Sequence, residues 1–84
     1  MIKIVTKGYK NHLRKALMEL LYKANLVLRR SSDVAEKEYA SIIGRAANDT
    51  YRNLDKYPLA DIYGMFTQSK EHLNNLDTIL SKVA

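Results

Sequence analysis

The chain contains no cysteine and no tryptophan, and only one proline and three glycines among 84 residues. Without cysteine there is neither a disulfide framework nor a thiolate metal site. That absence is compatible with a reducing cytosol, and a cytoplasmic protein is expected. Three glycines are too few for a phosphate-cradling loop or a dinucleotide fingerprint, and the Gly-x-Ser-x-Gly elbow of a nucleophilic serine does not occur. Long apolar runs are missing as well. The most apolar window, Leu17 to Leu28, is interrupted by Glu19, Lys23 and Asn25, whereas a membrane span needs about 20 predominantly apolar residues. Met1 to Thr6 lead into further charge rather than into the apolar core of an export signal. No membrane span is expected, and a peripheral membrane role for the basic amphipathic first segment ranks last among the readings, since the core consumes its apolar side.

Acid is scarce in the first third. Residues 1–30 carry eight Lys/Arg (Lys3, Lys7, Lys10, Arg14, Lys15, Lys23, Arg29, Arg30) against Glu19 alone, a net +7 within a chain of net +5. Residues 31–84 carry six basic and eight acidic side chains, a net −2. Such polarity attracts anionic partners to the first third, or pairs it with the chain's own acidic helices.

A chain of this length makes one domain, spanning residues 1–84, and buries only about 60 to 65 % of its unfolded surface. A thin core leaves little room for a deep substrate cavity. The Arg-Ser-Ser-Asp stretch at residues 30–33 and Pro58 divide the chain into three periodic segments. In the first, Tyr9, Leu13, Ala16, Leu17, Leu20, Ala24, Val27 and Leu28 recur three and four apart, the stripe of an amphipathic helix over about residues 6–30. Met1 to Val5 alternate weakly and read as an extended arm or a helical extension. The second segment opens with Asp33 and Glu36 in capping-box spacing. Ala35, Tyr39, Ile42, Ile43, Ala46, Ala47, Thr50 and Leu54 then form its stripe, giving a helix over about residues 33–56 that ends ahead of Pro58. Arg45 and Asp49, four apart, are placed to pair on its surface. Pro58 suits the first turn of a third helix over about residues 58–83, whose Leu59, Ile62, Phe66, Ser69, Leu73, Leu76, Leu80 and Val83 follow a 3.5-residue repeat. Short connections favour antiparallel neighbours. The expected fold is therefore all-α, a small antiparallel up-down-up three-helix bundle. Its long third seam could dimerise by burying itself against a second copy. Ala40, Gly44 and Ala47 suggest a close helix–helix approach on the second helix.

Reactive groups do not converge. His12 and His72 share no metal-ligand spacing with another His, Asp or Glu, and surface or boundary roles explain them. Asp49, Asp55 and Asp61 straddle a helix break and form no carboxylate pair. The chain is therefore expected not to be an enzyme, and to need no cofactor, metal or small-molecule substrate.

The stronger feature is the polar face of the first helix. Lys3, Lys7, Lys10 and Arg14 fall close together on the helical wheel, with Lys15 and Arg29 on the other side of the same face. Cations at near-regular spacing suit phosphate or carboxylate binding. They equally suit an idle solvated face, since Lys and Arg are good helix formers. Met18 and Tyr22 lie among them, where apolar groups ordinarily need cover. Tyr51, Arg52 and Tyr57 form a secondary patch, although the six tyrosines also suit the edge of a thin core. The expectation is a non-enzymatic binding or regulatory module that engages nucleic acid or an acidic protein surface through helix one. The alternative is a helical inhibitor, adaptor or immunity-type protein that docks on a partner by helix packing through Met18 and Tyr22.

Overall fold

The computed structural model describes residues 7–83. Three helices follow one another: α1 (Lys7–Arg30), α2 (Val34–Arg52) and α3 (Leu59–Lys82), with a 3-10 turn at Leu54–Lys56 between the last two. Among the described residues there is no strand. Lys3 and the arm expected at Met1 to Val5 lie outside the described residues.

Two contacts fix the directions. Tyr9 near the start of α1 meets Tyr63 near the start of α3, ring centroids 5.4 Å apart, so these helices run the same way. Glu36 in the first turn of α2 reaches Lys82 in the last turn of α3 at 3.6 Å, so α2 runs opposite. The chain is the expected up-down-up three-helix bundle.

The three helices do not pack equally. α1 lies against both neighbours along its length, whereas α2 and α3 scarcely touch. The principal extents of 44 × 26 × 17 Å show the consequence. Helix axes pack about 8–10 Å apart, so a width well above the thickness describes a flattened bundle with α1 in the centre. Leu13, Leu17, Leu20, Ala24 and Val27 of α1 form the spine of the core. α2 adds Ala40, Ile43 and Ala47, α3 adds Ile62, Leu73 and Leu76, and Leu54 closes one end.

This layout corrects part of the expected stripes. Ala35, Ile42 and Ala46 of α2 are exposed, because α2 has one neighbour to face instead of two. Leu28 in the last turn of α1 and Leu59 at the start of α3 are exposed too. Ser69 is buried and satisfies itself by donating to the Met65 carbonyl at 2.9 Å.

The breaks also differ from expectation in detail. Asp33 caps α2 by accepting from the Glu36 N–H at 3.0 Å. Glu36 does not return the bond directly. Its carboxylate accepts from the Ser31 hydroxyl at 2.6 Å, and that oxygen accepts the Asp33 N–H at 3.1 Å. At the other end α2 stops at Arg52 rather than near Lys56. The Asn53 side chain donates to the Asp49 carbonyl at 2.8 Å while the Asn53 N–H is shared between Asp49 and Thr50. That competition for the last carbonyls tightens the chain into the 3-10 turn. Pro58 stands just before α3 as its N-cap, with extended backbone, and the helix begins at Leu59.

Candidate functional site

α1 is covered by α2 on one side and α3 on the other, and its remaining face is open. Along that face run Asn11, Arg14, Met18, Tyr22, Asn25 and Arg29, at helical spacings of three and four. Met18 is 55 % exposed and Tyr22 is 64 % exposed, although they sit at the middle of the most deeply packed helix.

The structure does not gather all the basic residues on this face. Lys10 turns toward the end of α2 and pairs with Asp55 at 2.5 Å. The Lys10 ammonium beside Asp55, hydrogen-bonded to it, holds that carboxyl below the ordinary aspartate range, with a smaller contribution from the charge of Arg14. Arg14 donates to Asn11 at 2.9 Å within α1. Lys15 lies on the opposite rim, in a shallow cleft toward α3 lined also by His12, Glu19, Phe66 and Lys70. Arg29 is exposed at the end of α1. Lys7 lies in the first turn of α1. A single basic strip is thus replaced by separated cations around an apolar centre.

Lys23 is drawn the other way. It donates to Asp77 of α3 at 2.6 Å and lies 3.3 Å from Glu19. The hydrogen bond to Asp77 raises its pKa, with burial opposing and Glu19 assisting. The chain's basic first helix is in part neutralised by its acidic third.

The secondary patch is only partly assembled. Tyr51 and Arg52 are exposed on the last turn of α2, but Tyr57 packs against the core. His72 is half-buried and His12 is exposed. The Tyr39 hydroxyl and Nδ1 of His72 are hydrogen-bonded at 2.9 Å, and Asn75 donates to that hydroxyl at 3.0 Å, which joins α2 to α3. His12 lies edge-on to Tyr9 at 6.3 Å. Among the described residues no three His, Asp or Glu side chains are grouped as metal ligands. Among the same residues no helix is long and apolar enough to cross a membrane.

Three-dimensional placement adds residues that periodicity had not singled out. A solvent-open groove of about 330 Å³ runs between α1 and α2. Its floor is Ala24, Ala40 and Gly44, with Leu21, Asn25 and Leu28 on one wall and Ser41, Arg45 and Asn48 on the other. The small-residue spacing of α2 hinted at the floor. The α2 wall becomes visible only once the crossing of the two helices is known. Arg45 does not pair with Asp49 as expected; Asp49 accepts from the Asn53 side chain instead, at 3.4 Å.

No protein-family profile, curated protein or solved structure matches this chain.

Proposed function

We propose that the chain is a non-enzymatic binding module that engages an acidic protein surface through the uncovered face of α1. The observation that carries this reading is the exposure of Met18 and Tyr22 between Arg14 and Arg29. An apolar pair left open at mid-helix matches the centre of a protein interface, with the arginines as its polar rim. Phosphate recognition gains with each cation free to neutralise a phosphate, and here Lys10 is engaged by Asp55 and Lys23 by Asp77. The reading joins the acidic-partner and helix-docking expectations in one surface, as an adaptor or inhibitor would use it.

The test is affinity capture from the source cell with the intact chain, Met18→Asp, Tyr22→Asp and, as a control on the exposed side of α3, Asn74→Asp. A protein retained by the parent and the control, and lost by both α1 variants, supports the reading. Retention of that protein by both α1 variants would overturn it. So would co-purifying nucleic acid, detected by ultraviolet absorbance, that is released steeply with salt.

A further inference from the structure

We infer that the groove between α1 and α2 seats one amphipathic, acidic helix of the partner protein, which specifies the partner of the surface proposed above and rests on that proposal. The floor is made of Ala24, Ala40 and Gly44, so an incoming side chain meets little more than backbone and methyl groups there. Leu21 and Leu28, seven residues apart on α1, form an apolar wall, and the exposed Met18 and Tyr22 stand three residues before Leu21 and Asn25 on the same helix. This is the geometry that accepts a helix by its apolar stripe, anchored at three- and four-residue intervals.

Charge selects the occupant. Arg45 lines the groove and no carboxylate does. Arg14 and Arg29 flank it along α1, and Lys37 lies one turn from Ser41 on α2. Neither Arg29, Lys37 nor Arg45 takes part in an ion pair among the described residues. Of the chain's nine acids, Asp55 is held by Lys10, Glu19 and Asp77 by Lys23, and Glu36 by Lys82, while Glu38, one turn from Ser41, is outweighed around the groove by Arg29, Lys37 and Arg45. A helix with glutamates beside a leucine stripe satisfies both the walls and the rim.

The probe is a labelled, designed helical peptide of about 18 residues, five turns, with leucines at three- and four-residue spacing and glutamates flanking them. A control peptide has the same composition with the leucine spacing scrambled. The striped peptide should bind the parent chain at least tenfold more tightly than the scrambled one, with amide shifts centred on residues 40–48 and 21–28. Ser41→Trp and Asn48→Trp, which fill the groove from its rim, should each weaken binding at least tenfold while circular dichroism shows the helices intact. Equal binding of the two peptides, or indifference to both tryptophan variants, would overturn the groove. The same holds if a single- or double-stranded oligonucleotide displaces the striped peptide, or if sedimentation shows self-association through this face. The two proposals fail differently. Captured partner lost by Tyr22→Asp but kept by both tryptophan variants removes the groove and leaves the surface, whereas partner kept by Met18→Asp and Tyr22→Asp removes the surface itself.

Discussion

Gly44 of α2 faces Ala24 of α1 so closely that a methyl group placed on Gly44 would lie 3.5 Å from the Ala24 methyl. That is ordinary van der Waals contact, so alanine fits where leucine does not. Gly44→Ala should stabilise the fold by about 0.5–1 kcal/mol, through lower backbone entropy in the unfolded chain. Gly44→Leu should destabilise it by about 1–3 kcal/mol, because the larger side chain forces the helices apart. Gly64 has nothing within 4 Å of such a methyl, so Gly64→Ala should give the same gain as Gly44→Ala. Urea unfolding of the three variants decides. A loss of stability in Gly44→Ala would show that the crossing is tighter than the distance indicates.

The turn between α1 and α2 depends on a buried hydroxyl. Ser31 accepts the Asp33 N–H and donates to Glu36, and Glu36 also lies 3.6 Å from Lys82 of α3. Ser31→Ala leaves a part-buried carboxylate and an N–H without that partner, at a cost of about 1–3 kcal/mol. Asp33→Ala removes only the cap to the Glu36 N–H, in an exposed position, and should cost about 1 kcal/mol. Thermal unfolding should therefore rank Ser31→Ala below Asp33→Ala. The reverse order would mean that the relay through Ser31 adds nothing to an ordinary cap.

The two perturbed ionisations act at opposite ends of the pH scale. Lys23 has a folded pKa above its unfolded value, chiefly through Asp77. Its contribution is complete below about pH 10.4 and is lost as pH rises through the folded value. Both partners are partly exposed, so Lys23→Met should cost no more than about 1 kcal/mol at neutral pH. That difference from the parent should shrink in strongly alkaline buffer. Asp55 has a folded pKa below its unfolded value, chiefly through Lys10. Its contribution is present above about pH 3.9 and fades as pH falls through the folded value. In an NMR titration the Asp55 carboxyl should move back toward the ordinary aspartate range in Lys10→Met, with the small effect of Arg14 remaining. An unchanged midpoint in that variant would remove the Lys10–Asp55 pair.

Helix number and direction were legible because Asp33 and Pro58 are local punctuation, and the chain obeys local rules there. The end of α2 was not. Asn53 competes for helix carbonyls through its side chain, and nothing in the apolar periodicity records that. The stripe of α2 was read as wide enough for two neighbours, yet Ile42 and Ala46 remain exposed because α3 packs on α1 instead. At the candidate site, the wheel of α1 correctly set Met18, Tyr22 and Arg14 on one outward face. It could not show that Lys10 is held by Asp55, since that pair depends on how α2 returns along α1. For the same reason Ser41 and Asn48 were silent and Arg45 was read only as a partner for Asp49: their relation to Leu21 and Leu28 is set by the crossing at Gly44 and Ala24.

The central position of α1 predicts an order of opening. α1 buries apolar residues against both neighbours, and α3 contributes Ile62, Leu73 and Leu76. α2 buries Ile43 but otherwise only the small Ala40 and Ala47, and it touches α3 mainly at Tyr39 with His72 and at Glu36 with Lys82. Detaching α2 therefore exposes less apolar surface than detaching α3, and at about 25 cal/mol per Å² of apolar surface it costs less. In native-state hydrogen exchange the α2 amides should open as a unit below the global unfolding free energy. Those from Leu13 to Val27 should exchange only through global unfolding. Tyr39→Phe, which cuts the hydrogen bonds to His72 and Asn75 without removing the ring, should lower the α2 opening energy by about 1 kcal/mol more than it lowers that of α1. If the slowest α2 amides instead match those of α1, the three helices open together and the contacts between α2 and α3 matter more than their sparseness implies.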